Sequence, residues 1–480
     1  MTSLYDEVIY PNTPRPQTHP LRLSALASLH GAPSATFETC RVLEVGCGDG
    51  GNLIPMAVTA PNARFVGIDL AARPIAHGQQ VIKDLGLTNI RLEARDLCAP
   101  DLDLGTFDYL IAHGVYAWTP EPAREALMAL AGRALSPEGL AFISYNALPG
   151  CRLRQIVRDL LLAEPQIRQG SWTERVVAAR AFLERFIALW AADADPFRQA
   201  VAEEAKLILK KPDAVIFHDE LGEIYEPQYL ADVAAAGARA GLGYLCDIQP
   251  IPNHAAVSEG LRALSGDDGL RFEQLEDFTI LRRFHQSVFQ KAEAPRAAGG
   301  RDLASLSRLW ASAQLRKARP DELEGAGGGF VTPEGHVLET ADPALRGLLG
   351  ALVGAWPAAT PLAPHLTAPG IAATVLDMFD NRLLTLQAGP SPFSLTPGER
   401  PLASPYARWQ AGQGTAELSA LTHDTVHIPD PSTLRFLTLL DGAHDRHRIA
   451  MAMAGMATPE ILAEVEKGLA SLARAGFLLG

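Results

Sequence analysis

Val42-Leu43-Glu44-Val45-Gly46-Cys47-Gly48-Asp49-Gly50-Gly51 is the stretch that decides the fold. A strand-like run over 41–45 carries an acid near its end, meets four closely spaced glycines, and passes into a helix-like run from Asn52. Gly46, Gly48 and Gly51 satisfy G-x-G-x-x-G, which alone is a weak nucleotide signal. Glycine lets the chain turn tightly and leaves room for a ligand against the main chain. Three acids add specificity. Glu44 stands two residues before Gly46, Asp69 closes the next strand (64–69), and Asp96 closes the one after (90–96). A dinucleotide fold uses its glycines on a pyrophosphate. Acids after successive strands suit instead a ligand with a ribose, an adenine and a cationic amino-acid tail.

The same rhythm extends outward. Strands at 41–45, 64–69, 90–95, 107–112 and 139–145 alternate with helical runs at 50–59, 73–85 and 121–134, which predicts a parallel sheet covered on both faces. From 151 to 211 apolar residues recur at helical spacing in three blocks, a helical insertion. A helix over 226–240, a strand over 242–248 and a second strand within 278–289 are then expected. Residues 292–302 read as a linker. Beyond it, a hairpin signal at 330–338 and helices at 343–354, 370–379, 432–441 and 458–475 suggest winged-helix-like modules.

Tyr5-Asp-Glu-Val-Ile-Tyr10-Pro, Gln17-Thr-His-Pro20, Gly46 to Pro55, His113-Gly-Val-Tyr-Ala-Trp118 and Ser144-Tyr-Asn-Ala-Leu-Pro-Gly150 carry a more specific likeness. Together they resemble the class I S-adenosylmethionine-dependent methyltransferases that carry a methyltransferase regulatory domain, including the rickettsial protein-lysine methyltransferases. The likeness spans roughly residues 1–290. It implies an α/β fold: a Rossmann-like methyltransferase sheet ending in an antiparallel pair, with a helical insertion, followed by a smaller α+β winged-helix-like region. The expected division is 1–36 a lid segment, 37–150 the cofactor-binding core, 151–212 a helical cap, 213–291 the rest of the core with the regulatory domain, and 303–365 and 366–480 two winged-helix-like modules.

With S-adenosylmethionine as cofactor, Asp69 would accept from the ribose hydroxyls, with Leu70 beside it. Glu44, Gly46, Cys47, Gly48, Gly51 and Asn52 would hold the methionine end. Asp96 and Leu97 would flank the adenine. His113 would stand near the methyl group, and Tyr5 and Tyr10 would fold over the ligand. Tyr116 and Trp118 would line the reaction site with Tyr145 and Asn146, because aromatic faces attract a sulfonium or ammonium. The competing reading makes Tyr116 and Trp118 core aromatics and Asp96 a strand-end cap.

Composition narrows the function. At 480 residues two or three domains are expected. A net charge of -13 repels phosphate backbones, so no nucleic-acid partner is expected. The five cysteines are dispersed without a C-x-x-C pair, which points to reduced thiols in a cytoplasm and no zinc site. No secretory signal or membrane span is read from the apolar runs. His218-Asp219-Glu220, with Tyr225 and Tyr229, suits a substrate contact or a turn better than a metal. The expected activity is N-methylation of protein lysine. A small-molecule N- or O-methyltransferase and a non-catalytic cofactor-binding regulator are the alternatives, and homodimerisation stays open.

Overall fold

The computed structural model describes residues 8, 10–100, 102–191, 195–248, 255–296, 300–323 and 328–479. Its centre is a seven-stranded sheet: β1 (Arg41–Val45), β2 (Arg64–Asp69), β3 (Ile90–Ala94), β4 (Phe107–Ala112), β5 (Leu135–Asn146), β6 (Leu242–Asp247) and β7 (Phe284–Lys291). The order is β3-β2-β1-β4-β5-β7-β6, with β7 antiparallel to both neighbours. Strand order reverses between β1 and β4, and ligands bind above such a switch point in open parallel sheets. Val42, Leu43, Val45, Leu110 and Ile111 are all buried, because helices cover both faces and leave no solvent side for alternation.

Two large cores lie on either face. One gathers Val42, Phe65, Tyr109 and Phe142. The other gathers Leu43, Ile68, Leu110, Tyr116 and Tyr145. The insertion comprises helices Arg152–Ala163, Trp172–Leu189 and Pro196–Leu209. Its own core includes Val157, Leu161, Val176 and Ile208, and Val8 of the N-terminal arm joins it. Ser171 and Glu174 close the second helix with a reciprocal capping box.

Helix Pro20–Leu29 sits between two cores. Leu21, Leu23 and Leu26 enter the sheet's core, whereas Ala25 and Leu29 enter that of the middle module. Expected as part of a lid, this stretch is instead a buried splice, since both of its faces are apolar.

Three other expectations need correction. The run at 278–281 is not strand but the end of helix Gly269–Ile280, which stops where Leu281 turns left-handed at φ 50°. The helix expected from 226 begins only at Leu230, because Glu226 N donates to Ala117 O and Gln228 N to Asn146 O. The boundary at 365 cuts through one module. Strand Trp310–Ser312 pairs with Thr360–Pro361 on one edge and Thr385–Gln387 on the other. Helix Ile371–Asp380 buries Ile371, Val375 and Met378 in that same core. A separate core runs from Ala403 to Leu478.

Gly78, on helix Ala72–Asp84, packs directly under the glycine loop: a Cβ there would lie 2.2 Å from Asp49 O and 2.5 Å from Leu92 Cδ1. Overpacking of about 1–3 kcal/mol, set against the ~1 kcal/mol that alanine gains in a helix, makes Gly78→Ala destabilising by up to about 2 kcal/mol. A lower thermal midpoint than wild type is the expected reading.

Candidate active site

The loop after β1 turns on three glycines with positive φ: Gly46 (74°), Gly48 (54°) and Gly50 (78°). Its position is set from β2. Gly48 N and Ala71 N each donate to the Asp69 carboxylate at 2.8 Å, and Gly46 N donates to Ile68 O. Asp69 is thus aimed across the loop by its own neighbours. Leu70, beside it, is 67% exposed, an apolar face left open at the mouth of the switch point.

Glu44 is 4% exposed. Its Oε1 accepts from Asn52 Nδ2 at 2.8 Å. Its Oε2 is buried with no hydrogen-bond partner. Burial raises the Glu44 pKa to about 8; the Asn52 bond opposes this, and the charges of Asp69 and Asp49 add to it. A buried, half-partnered acid beside a glycine loop fits a ligand that brings a cation. Cys47 is buried against Gly67, and desolvation pushes its thiol up, so it is inert packing.

Asn52 is the junction. Its Oδ1 accepts from Arg15 N at 2.9 Å and His423 Nε2 at 2.8 Å, and its Nδ2 also reaches Thr18 Oγ1 at 3.1 Å. The N-terminal arm lies over the loop: Asn12 Nδ2 donates to Cys47 O at 2.8 Å and Asp49 Oδ1 at 2.9 Å. A Cβ on Gly51 would meet Asn12 O at 2.6 Å, so this approach requires glycine. Further up the arm, Val8 O accepts from His218 Nε2 at 2.7 Å and Tyr10 lies 5.7 Å from the His218 ring. The arm is therefore pinned between loop and insertion. Tyr5 lies outside the described residues.

His113, after β4, stacks on Phe142 at 6.1 Å, with Phe284 at the same distance and Gln17 Nε2 within 3.5 Å of its Nε2. Burial, and next the charge of Arg15, lower its pKa to about 4, so it is neutral at pH 7. Trp118 and Tyr225 pack with tilted rings 4.7 Å apart, with the Arg154 and Arg158 guanidinium groups over the two rings. Asn146 is half-buried at the end of β5. Tyr116 and Tyr145 are both buried. Both belong to a buried core, 5.9 Å apart, and the Tyr145 hydroxyl pairs with Ser287 Oγ at 3.1 Å. That core also holds Leu43, Leu110 and Phe289. Asp96 is exposed, with Oδ1 accepting from Cys98 N at 2.8 Å, as a strand-end cap does, and Leu97 is half-buried. Asp219 and Glu220 pair with Arg154, and Glu220 also with Lys211 at 2.6 Å, an ionic clasp between the insertion and the turn Ile216–Glu220 that follows it.

Sequence reasoning left Asn12, Arg15, Thr18 and His423 without a role. The first three flank or belong to the quoted Gln17-Thr-His-Pro20 motif, which was the available signal. Nothing local marks His423, which stands 371 residues from Asn52.

Residues 42–139 match a family described as methyltransferase domain, 212–291 a methyltransferase regulatory domain, and 399–474 the C-terminal winged-helix domain of PKMT. The uncharacterized Rickettsia prowazekii protein RP028 is 32% identical over 225 residues, 47% of this chain and 90% of that one. RP789 of the same organism is 35% identical over 292 residues, 59% of this chain but only 52% of its own length. The chain belongs to the class I S-adenosylmethionine-dependent methyltransferases. Its fold is similar in particular to that of PKMT2 from Rickettsia typhi in complex with AdoHcy, at a TM-score of 0.85 and 22% identity over 98% of this chain and 100% of that one.

The Glu44 environment makes a pH prediction. Without ligand the carboxyl is mostly protonated at pH 7, since its pKa is near 8. A ligand ammonium favours the carboxylate, so binding expels a proton and affinity rises as pH climbs from 6 toward 8. Calorimetry of AdoHcy in buffers of different ionisation enthalpy should show proton release at pH 7, and Glu44→Gln should remove that pH dependence.

Proposed function

We propose that this chain transfers methyl groups from S-adenosylmethionine to lysine side chains of proteins. The observation that supports the acceptor most is the match of residues 399–474 to a winged-helix domain described for PKMT, in a chain whose backbone follows PKMT2 over 98% of its length. In this reading Glu44, Asn52 and the loop of Gly46, Cys47, Gly48 and Gly51 hold the amino-acid end of the cofactor. Asp69 takes the ribose, and Leu70, Asp96 and Leu97 the adenine. Tyr10 and Asn12 keep the arm closed over the loop. His113, Trp118 and Asn146 face the reacting atoms, while Tyr116 and Tyr145 brace them from the core.

The cofactor supplies a methyl group on a sulfonium, a carbon already activated for in-line displacement with a neutral thioether leaving. The chain's part is then alignment and exclusion of water. A lysine amine must arrive without its proton. His113, with a pKa near 4, is too weak a base to take it at neutral pH. Apolar and aromatic surroundings lower the amine's own pKa, which lets the proton leave to solvent before transfer. Five free thiols fit a cytoplasmic site of action. No helix among the described residues is long and apolar enough to cross a membrane.

Incubation of the protein with radiolabelled S-adenosylmethionine and a bacterial lysate tests the acceptor. Label in protein bands, recovered as methyl-lysine after hydrolysis, is the expected result. Label confined to small molecules would move the acceptor to a metabolite and defeat the lysine reading. Asp69→Ala and Gly48→Val should each remove AdoHcy binding by calorimetry while leaving the folded spectrum intact. Either variant binding normally would misplace the cofactor.

A further inference from the structure

The C-terminal module ends its two-stranded hairpin inside the methyltransferase core. Strands Glu417–Ser419 and Thr425–His427 pair antiparallel, and the turn between them is closed by Ala420 N to Asp424 O and His423 N to Ala420 O. His423 holds φ 65°, a left-handed conformation that ordinary residues avoid, and is 4% exposed. Its ring meets His19 edge-on at 5.1 Å.

The protonation pattern follows from fixed donors. Arg15 N can only donate, so the Asn52 atom it reaches is the carbonyl oxygen. His423 Nε2, 2.8 Å from that same oxygen, must therefore carry the hydrogen. Asn52 Nδ2 is left to donate to Glu44 Oε1. Desolvation holds the His423 imidazole far below its ordinary range, so this neutral tautomer persists. A continuous chain of donors thus runs from the hairpin tip through Asn52 to the half-partnered acid of the cofactor loop.

We propose that His423 is a positioning residue for the cofactor: the C-terminal winged-helix module, through its hairpin tip, orients Asn52 and thereby Glu44 for the cationic end of the ligand. The inference rests on the cofactor reading above. It gives the module a second task besides any hold on a protein substrate, and it couples docking of the module to cofactor binding. Such coupling is reciprocal, so the cofactor must also tighten the module.

The test uses the full chain and AdoHcy. His423→Ala removes the donor and should weaken AdoHcy about tenfold or more, the effect of one lost buried hydrogen bond. His423→Gln places an amide N–H near the same point and should restore binding to within about threefold. In turnover, the alanine variant should raise KM for S-adenosylmethionine and leave kcat nearly unchanged. Hydrogen exchange on the wild type supplies a readout that needs no variant: AdoHcy should slow exchange in the 417–427 hairpin. Equal AdoHcy affinity in a folded His423→Ala, or no change in hairpin exchange, overturns the proposal. Failure of the wild type to bind AdoHcy at all would instead sink the cofactor reading.

Discussion

A carboxyl group taken out of water at the end of β1 is the constraint on which the site is built. Moving an unpaired carboxylate into an apolar interior costs on the order of several kcal/mol, so Glu44 persists only with partners or without its charge. The structure supplies both in part. Asn52 satisfies one oxygen, and the raised pKa keeps the group neutral near pH 7. The other oxygen is left unpartnered, a local cost that a cationic ligand can relieve. Asn52 can serve Glu44 only if its amide cannot rotate, and two donors from distant parts of the chain fix it. The acid dictates the asparagine, and the asparagine dictates where the arm at Arg15 and the hairpin at His423 must go.

That requirement accounts for the unusual wiring of the modules. The N-terminal segment crosses the glycine loop, contributes Arg15 N to Asn52, then enters helix Pro20–Leu29, whose faces serve two cores. Ala388 N donates to Leu21 O and Asp302 N to Leu29 O, so the middle module is bonded to the backbone of the same helix. The C-terminal module sends in His423, and its helix Pro405–Gly412 places Tyr406 in the sheet's core and the Trp409 N–H on Asp84. The N-terminal segment and the C-terminal module meet at Asn52 beside the glycine loop, and the middle module reaches it through helix Pro20–Leu29. A change in any of them has a short path to Glu44.

Local signals carried most of the sheet into view. Strands β1 to β5 are written in apolar runs, with Glu44 near the end of β1, Asp69 closing β2 and Asp96 two residues past β3, and the glycine loop follows from residues that tolerate positive φ. The insertion was legible through helical spacing. What stayed hidden is long-range. The second edge of strand Trp310–Ser312 comes from residues 385–387, so a boundary drawn from local composition at 365 fell inside a sheet. The 278–281 run contains Phe, Thr, Ile and Leu in a strand-like order, yet its preceding turns make it helical until Leu281. Tyr116 and Tyr145 could be assigned to the site's end of the sheet, but which face each side chain enters depends on helices elsewhere in the chain. His423 had no local mark at all.

The winged-helix architecture invites a nucleic-acid reading, and its electrostatics argue against it. A helix that enters a groove needs net positive charge to displace counterions. Helix Pro459–Arg474 carries Glu460, Glu464 and Glu466 against Lys467 and Arg474. Its lysine is paired with Glu464, and Glu466 already holds Arg446. The hairpin tip is buried against Asn52. On a chain with a net charge of -13 these are the marks of a module turned inward. The hairpin tip points a neutral imidazole at an amide oxygen, where a cationic side chain would carry an unpaired charge into the core.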